Sequence, residues 1–478
     1  MIRYGSGAAA AAAVGQKWLD CSAAADTSSN DKPFDFKLEP VGKLKTLRSN
    51  EIDVSPFSVG FEVLDRKRFD PTKTYEHLAN LGVKWARCQT GWNRCERVQG
   101  QFTFDWLDEV VDSLLKIGVQ PWFNLGYGNQ LYTPDKPDDM SVGWAPVFDD
   151  APREAWLRFV DKLAEHFADR VMHWEIWNEP NIKAFWKPNK PNAADYLKMV
   201  KITAPLIRQR VANAVIIGGA FAGVPKDYIQ ACLESGLADH VDRISYHPYR
   251  PAPEANYDKD VGQLREMIEA YSKSIKLWQG ENGCPSQGGP ESTGALSNLD
   301  WDEQKQAKWV LRRILSDLRL DLELTSYFHT VDLVGYRGKT NFKGLLRGKD
   351  YTRKPSYFAY QSLCTLFAGG CRRIDQVPEL IGQTRMRLVD GVFRRDRYVT
   401  YAWWYPENLF QTWEPRSITV RITLPKGSQF DAPVLIDPLS QRVYRFPRVE
   451  CGDAYVMLKD LPLLDYPLLV ADKRVVPM

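Results

Sequence analysis

The sequence predicts an α/β fold: a (β/α)8 TIM barrel with an accessory antiparallel β-sandwich domain. Three observations carry this. From about residue 52, short apolar runs of strand length alternate with amphipathic helical runs. Eight such strand runs precede residue 330, the number that closes a barrel of this kind. Beyond Pro355 and one last helix, the pattern changes to short β-rich runs separated by turn residues.

The strand candidates, in order, are Phe57–Phe61, Trp85–Gln89, Gln120–Leu125, His173–Asn178, Ala214–Gly219, Arg243–Tyr246, Lys276–Gly280 and Leu324–His329. Between them, apolar residues recur at helical spacing, the mark of one buried face. Trp106–Lys116 is apolar at 106, 107, 110, 111, 114 and 115, and Arg153–Phe167 at 156, 157, 159, 160, 163, 164 and 167; Gln304–Leu318 is a third such run. Asp105 and Asp150 stand where N-caps are expected. A doubly wound sheet is the alternative, but it usually needs fewer strands, and no Gly-rich fingerprint follows the first one. A helix over Ser356–Leu366 closes the barrel. The runs Met386–Val389, Val392–Arg394, Tyr398–Trp404, Ser417–Leu424, Ala432–Asp437 and Leu468–Val470 then read as sandwich strands, with turns at Asp390-Gly391 and Pro425-Lys426-Gly427.

Four segments follow: 1–32, a disordered or signal-like start; 33–52, a lead-in that can lend strands to the sandwich; 53–370, the barrel; and 371–478, the sandwich. The start has one early Arg, the alanine run Ala8–Ala13, and Ala23-Ala24-Ala25 before Asp26, so it resembles a secretory signal with a poor apolar core. A signal would make the chain secreted or periplasmic; a cytoplasmic place is the alternative.

The formal net charge is only +3 and no basic stripe is visible, which argues against a nucleic-acid partner. No apolar run approaches the 18 or more residues of a membrane span. The eight cysteines form no CxxC pair, which argues against a zinc ribbon or a thioredoxin-like site. Cys88 with Cys95, and Cys364 with Cys371, are spaced for local bridges; buried free thiols are the alternative. Aromatics make up 12% of the chain, which suits both a large core and the C–H faces of sugar rings.

Functional groups of such a barrel sit at the C-terminal strand ends. The fourth run ends in Ile176-Trp177-Asn178-Glu179-Pro180 and the seventh in Trp278-Gln279-Gly280-Glu281, so two carboxyl groups face each other across the mouth. Glycoside hydrolysis needs such a pair: one to protonate the leaving oxygen, one to meet the positive charge at the anomeric carbon. A lone Glu at a strand end is more often a solvated loop residue; two, with aromatics around both, reverse that reading.

These motifs resemble the strand-4 signature and strand-7 nucleophile segment of clan A glycoside hydrolases, retaining enzymes on (β/α)8 barrels. Arg87 in Trp85-Ala86-Arg87-Cys88 stands where the clan carries a site arginine, and Ser245-Tyr246-His247-Pro248-Tyr249 resembles its His-x-Tyr segment. Within the clan, Trp177-Asn178-Glu179-Pro180-Asn181 and the trailing sandwich are most similar to family 39, the group of β-xylosidases and α-L-iduronidases. Two departures concern the pocket floor: Asn124-Leu125-Gly126-Tyr127 stands where many members have a His, and Ser326-Tyr327-Phe328-His329 where a Trp often ends strand 8.

The resemblance implies a retaining double displacement without cofactor or metal, on an oligosaccharide, polysaccharide or simpler glycoside. A carbohydrate-binding protein on an inactive barrel is the alternative. Glu179 is then the acid and later the base, and Glu281 the nucleophile, kept ionised by Arg87 and Tyr249. Asn178 is placed for the sugar 2-OH, and His247 for Glu179, for substrate or for a purely structural role. Glu175 is expected to pair with Arg87 inside the barrel. Asn124, Tyr127, Trp186 and Tyr327 are further candidates for substrate binding. Trp92, Trp144 and Trp177 complete the aromatics near the mouth, of which two or three are expected to line the site. The two catalytic carboxyl groups are expected about 5–5.5 Å apart. Sugar, anomer and exo or endo action stay open.

Overall fold

A computed structural model of the chain describes residues 36–133, 141–382, 387–452 and 454–478. The signal-like start at 1–32, and with it the expectation of secretion, lies outside the described residues. Eight parallel strands close into a barrel: Phe57–Gly60, Trp85–Gln89, Gln120–Leu125, His173–Ile176, Val215–Ala222, Arg243–His247, Lys276–Asn282 and Leu324–Tyr327. These are barrel strands 1 to 8. The last closes on the first through the register Ser58↔Ser326.

The helices follow the apolar periodicity. Asp105–Lys116 buries Leu107, Val110, Val111 and Leu114; Asp150–His166 buries Trp156, Phe159, Val160 and Leu163. Asp105 and Asp150 are first-turn residues rather than the N-caps expected. There their charge still complements the positive end of the helix dipole. The third helix, Glu303–Arg319, begins one residue early and is capped by Asp302, whose side chain accepts from the Lys305 N–H. Pro355–Leu366 closes the barrel, with proline at its first turn, where no N–H is needed.

Strand 4 ends at Ile176, two residues short of the predicted end. Trp177 (φ +70°) and Glu179 (φ +49°) adopt left-handed backbone conformations, so the alternation of a regular strand stops before Asn178. A hairpin, Leu333–Tyr336 paired with Lys339–Asn341, follows strand 8 and is not visible in the periodicity.

The sandwich packs a seven-stranded antiparallel sheet with a four-stranded one. Pro40–Lys43, from the lead-in, pairs with Arg442–Arg445 at the edge of the larger sheet. Asp390-Gly391 is not a turn: Val389–Arg395 is one strand, paired with Tyr398–Trp404 through Gly391↔Ala402, and the chain reverses at Asp396 and Arg397 instead. Met386, the start of the expected run 386–389, lies outside the described residues. Strands Glu379–Ile381, Arg442–Arg445, Val449–Cys451 and Tyr455–Leu463 went unpredicted because their charges, or a proline in the last, interrupt the apolar pattern. Cys88, Cys95, Cys364 and Cys371 are all free thiols, so neither local bridge forms.

A buried ion pair of the barrel is hydrogen-bonded from the sandwich. Arg312, on the helix Glu303–Arg319, donates from Nε and Nη2 to both oxygens of Glu254 (2.8 and 2.7 Å) and from Nη1 to the Glu407 carbonyl (2.7 Å). Trp404 of the sandwich donates its indole N–H to the same Glu254 carboxylate at 2.6 Å. Arg312→Met leaves that carboxylate buried and uncompensated. It is expected to cost about 3–5 kcal/mol, read as a lowered urea midpoint. The double variant with Glu254→Leu should recover much of the loss; no recovery would show that the ion pair is not what joins the domains.

Candidate active site

Each functional side chain is delivered by a strand end. Arg87 sits within strand 2, Asn124 within strand 3, Glu175 within strand 4, and Asn178 and Glu179 just beyond it. His247 ends strand 6, with Tyr249 two residues later, and Glu281 lies near the end of strand 7. Below them is an apolar layer of Trp122, Ile217, Trp278 and Leu324. The Arg87 guanidinium lies 5.5 Å from the centre of the Trp122 ring. Strand 7 needs glycine at 280, because a Cβ there would stand 2.1 Å from Ser245 Oγ and 3.3 Å from Glu175 Oε1.

Arg87, 1% exposed, organises the charges. Its Nε and Nη2 donate to Glu175 Oε2 at 2.9 and 2.6 Å, and Nη2 also donates to Asn178 Oδ1 at 2.9 Å. Nη1 donates to Glu62 Oε1 at 3.0 Å and to Glu281 Oε2 at 2.5 Å. The Tyr249 hydroxyl donates to Glu281 Oε1 at 2.8 Å. Burial alone would push the Glu281 carboxyl up; the charges of His247 and Arg87 and the Tyr249 hydrogen bond outweigh it and hold it below the ordinary glutamate range. His247 Nδ1 lies 3.0 Å from Glu179 Oε1 and 3.9 Å from Glu281 Oε2.

Glu179, His247 and Glu281 each offer an atom within 4.8 Å of the others, the one such three-donor set among the described residues. The Arg87 guanidinium supplies positive charge to one member of this set, Glu281. Both carboxyl groups keep a little solvent exposure, 12% for the Glu179 side chain and 14% for Glu281, so a ligand can reach them. A separate cavity of about 370 Å³ opens at the opposite, N-terminal end of the strands, beside Trp85, His173 and Trp278.

Three expected substrate contacts are corrected. Asn124 is fully buried, and its amide donates to Glu175 Oε2 (2.9 Å) and to the Trp177 carbonyl (2.6 Å), so it holds Glu175 instead of a sugar. Trp186 is fully buried against Trp177, Phe148 and Tyr196. Tyr327 turns outward: its ring packs on Trp309 and Tyr360, and its hydroxyl donates to the Cys284 carbonyl. Trp92 and Trp177 are likewise core residues. Tyr127 stays close to the site, 5% exposed, stacked on Phe185 and facing Arg66. Trp144 is half-buried in a separate cleft with Tyr132 and Pro188.

Sequence reading missed Glu62 and a polar relay above it. Arg66 Nη2 donates to Gln89 Oε1 (2.6 Å), and Gln89 Nε2 donates to Asn124 Oδ1 (3.2 Å), which leads on to Glu175. Glu62 lies two residues past strand 1, the same kind of position that singled out Glu179 and Glu281. Lys343, in the loop after strand 8, was also missed; it is buried near the Tyr249 ring, and burial pushes its ammonium down to about 8.

Fold and site together give a closed parallel barrel with two carboxyl groups at facing strand ends, an arrangement similar to that of clan A glycoside hydrolases. The particular likeness is to family 39: residues 74–275 match the model for Glycosyl hydrolases family 39. A β-xylosidase of Caldicellulosiruptor saccharolyticus is 26% identical over 301 residues, covering 55% of this chain and 56% of that protein. One of Geobacillus stearothermophilus is 27% identical over 167 residues, 31% of each. The chain thus spans about half or less of the length of these curated relatives. Among solved structures, a family 39 glycoside hydrolase from Bacteroides cellulosilyticus WH2 superposes with a TM-score of 0.64 at 20% identity, covering 87% of this chain and 81% of that one. A monomeric β-xylosidase from Caulobacter crescentus CB15 gives a TM-score of 0.58 at 17% identity, covering 90% and 97%. The solved structures show the same fold.

Arg87→Met tests the charge frame directly. It strips the one cation from Glu175 and Glu62 and should destabilise the chain by about 3–5 kcal/mol. The loss should be smaller at about pH 5 than at about pH 8, because protons can neutralise the bared carboxyl groups. Equal losses at both pH values, in chemical melts, would show that Arg87 acts by packing alone.

Proposed function

We propose that this chain is a retaining glycoside hydrolase acting by double displacement. One observation carries the reading: an oxygen of Glu179 and an oxygen of Glu281 lie within 4.8 Å of each other at facing strand ends. That spacing suits a nucleophile and an acid on either side of one glycosidic bond. Inverting pairs stand about 6.5–9.5 Å apart to admit a water. Each carboxyl group has a partner: the imidazole of His247 for Glu179, the Arg87 guanidinium and the Tyr249 hydroxyl for Glu281.

In the first step Glu281 attacks the anomeric carbon while Glu179 protonates the departing oxygen; in the second, Glu179 takes a proton from water, which hydrolyses the glycosyl-enzyme. His247 occupies Glu179 Oε1, which leaves Oε2 as the oxygen for proton transfer. Arg87 occupies Asn178 Oδ1, which leaves the amide nitrogen to donate to a sugar hydroxyl. No helix among the described residues is long and apolar enough to cross a membrane. The names of the relatives make an aryl β-xyloside the first substrate to try, followed by glucosides, galactosides, mannosides and uronides.

Glu281→Ala should abolish turnover of every glycoside, because no covalent intermediate can form without the nucleophile. Glu179→Ala should nearly abolish cleavage of unactivated glycosides. It should still form the glycosyl-enzyme from a dinitrophenyl glycoside, and azide should then release a glycosyl azide of retained configuration. A retained azide product from Glu281→Ala would reverse the two roles, and normal activity in both variants would refute the reading. Tyr249→Phe removes a hydrogen bond that favours ionised Glu281. The acid limb of kcat/KM should therefore move to higher pH, by up to about one unit; an unmoved limb would show that the hydroxyl does not act on the nucleophile.

A further inference from the structure

Glu62 has no part in the two-step scheme above, yet it shares a nitrogen with the nucleophile. Arg87 has five N–H donors, and all are engaged: three on Glu175 and Asn178, one on Glu62 Oε1 and one on Glu281 Oε2. Nη1 therefore reaches Glu281 from a position that Glu62 helps to set. The other oxygen, Glu62 Oε2, is buried and has no hydrogen-bond partner among the described residues. Gly60 makes room for it: a Cβ there would lie 2.4 Å from that oxygen. The charged or titratable side chain beside Oε2 is His329, whose Nε2 is 3.6 Å away.

We propose that Glu62 positions the nucleophile through Arg87, and that it does so in its neutral, proton-bearing form. The proposal rests on the glycosidase reading of the same site. An ionised Glu62 would leave a charged oxygen buried without a donor, which is costly. It would also compete with Glu281 for Nη1. The groups that face it do not supply a second cation. Arg87 on strand 2 is shared with Glu175 on strand 4 and Glu281 on strand 7. Burial pushes the Cys88 thiol and the Tyr249 hydroxyl up, so both stay neutral. Burial pushes His329 down to about 4, so it too is neutral. Burial, with the nearby charge of Glu281, pushes the Glu62 carboxyl up to about 7 against the pull of Arg87. His329, two residues past strand 8, thus serves as an uncharged wall for Glu62.

The test uses the full chain and a dinitrophenyl glycoside. Its leaving group needs no proton, so kcat/KM no longer depends on Glu179. In the unsubstituted protein, kcat/KM should still fall above about pH 7, by up to tenfold per pH unit, as Glu62 ionises. Glu62→Gln keeps an acceptor for Nη1 but cannot ionise. It should lower kcat/KM by about two- to threefold below pH 7, since an amide sets Nη1 less well, and abolish the fall above it. Independently of activity, infrared difference spectra of the unsubstituted protein should show the C=O stretch of a protonated carboxyl that disappears as pH rises through 7. Glu62→Gln should lack that band. A flat profile in the unsubstituted protein, a fall that persists in Glu62→Gln, or no such band overturns the role of Glu62 and leaves the glycosidase reading standing. No hydrolysis of any glycoside overturns the glycosidase reading, and the positioning role with it.

Discussion

One guanidinium, buried on an aromatic floor, sets the geometry at the mouth of this barrel. Arg87 reaches side chains that follow or end strands 1, 4 and 7, and every donor it has is engaged. The Trp122 ring beneath it excludes water, so these attractions act in a medium of low dielectric. An isolated cation could not be buried there, and neither could the carboxylates. Each is tolerated because the others are present, and that mutual need ties distant strand ends into one constellation.

The frame treats the two carboxyl groups at the mouth differently. Glu281 receives two donors, from Arg87 and Tyr249, and is held ionised. Among the described residues the Glu179 side chain meets the imidazole of His247, and Glu179 lies beyond the regular end of strand 4, on left-handed backbone. In the proposed scheme the first is held for attack, and the second keeps an oxygen for proton exchange. This asymmetry of surroundings is what a double displacement asks of two chemically identical side chains.

The sandwich meets the barrel at a buried carboxylate near this site. Glu254, in the segment after strand 6, is held from the barrel by Arg312 and from the sandwich by Trp404. That segment also follows directly on His247 and Tyr249. The domain contact therefore anchors the chain just beyond the two side chains that contact Glu179 and Glu281.

By itself the sequence determined the eight-stranded barrel, the sandwich, and the place of Glu179 and Glu281 at facing strand ends. Apolar periodicity and a carboxyl group at the end of an apolar run are local signals, written within a few neighbouring residues. Arg87, Glu175, His247 and Tyr249 were legible as candidates through the motifs that contain them. Tertiary structure alone decided which way the other side chains point. Asn124 and Tyr327 lie in strands that the pattern located, yet one turns into the charge cluster and the other toward the outer helices. Trp186 follows Glu179 in a loop whose course periodicity cannot trace, and it closes the core. Glu62 and His329 carried the right chemistry at strand ends but gained meaning only by meeting across the join between strands 1 and 8, 267 residues apart in sequence. Burial, charge sharing and side-chain direction depend on what the closed barrel brings together, and no run of neighbouring residues encodes that.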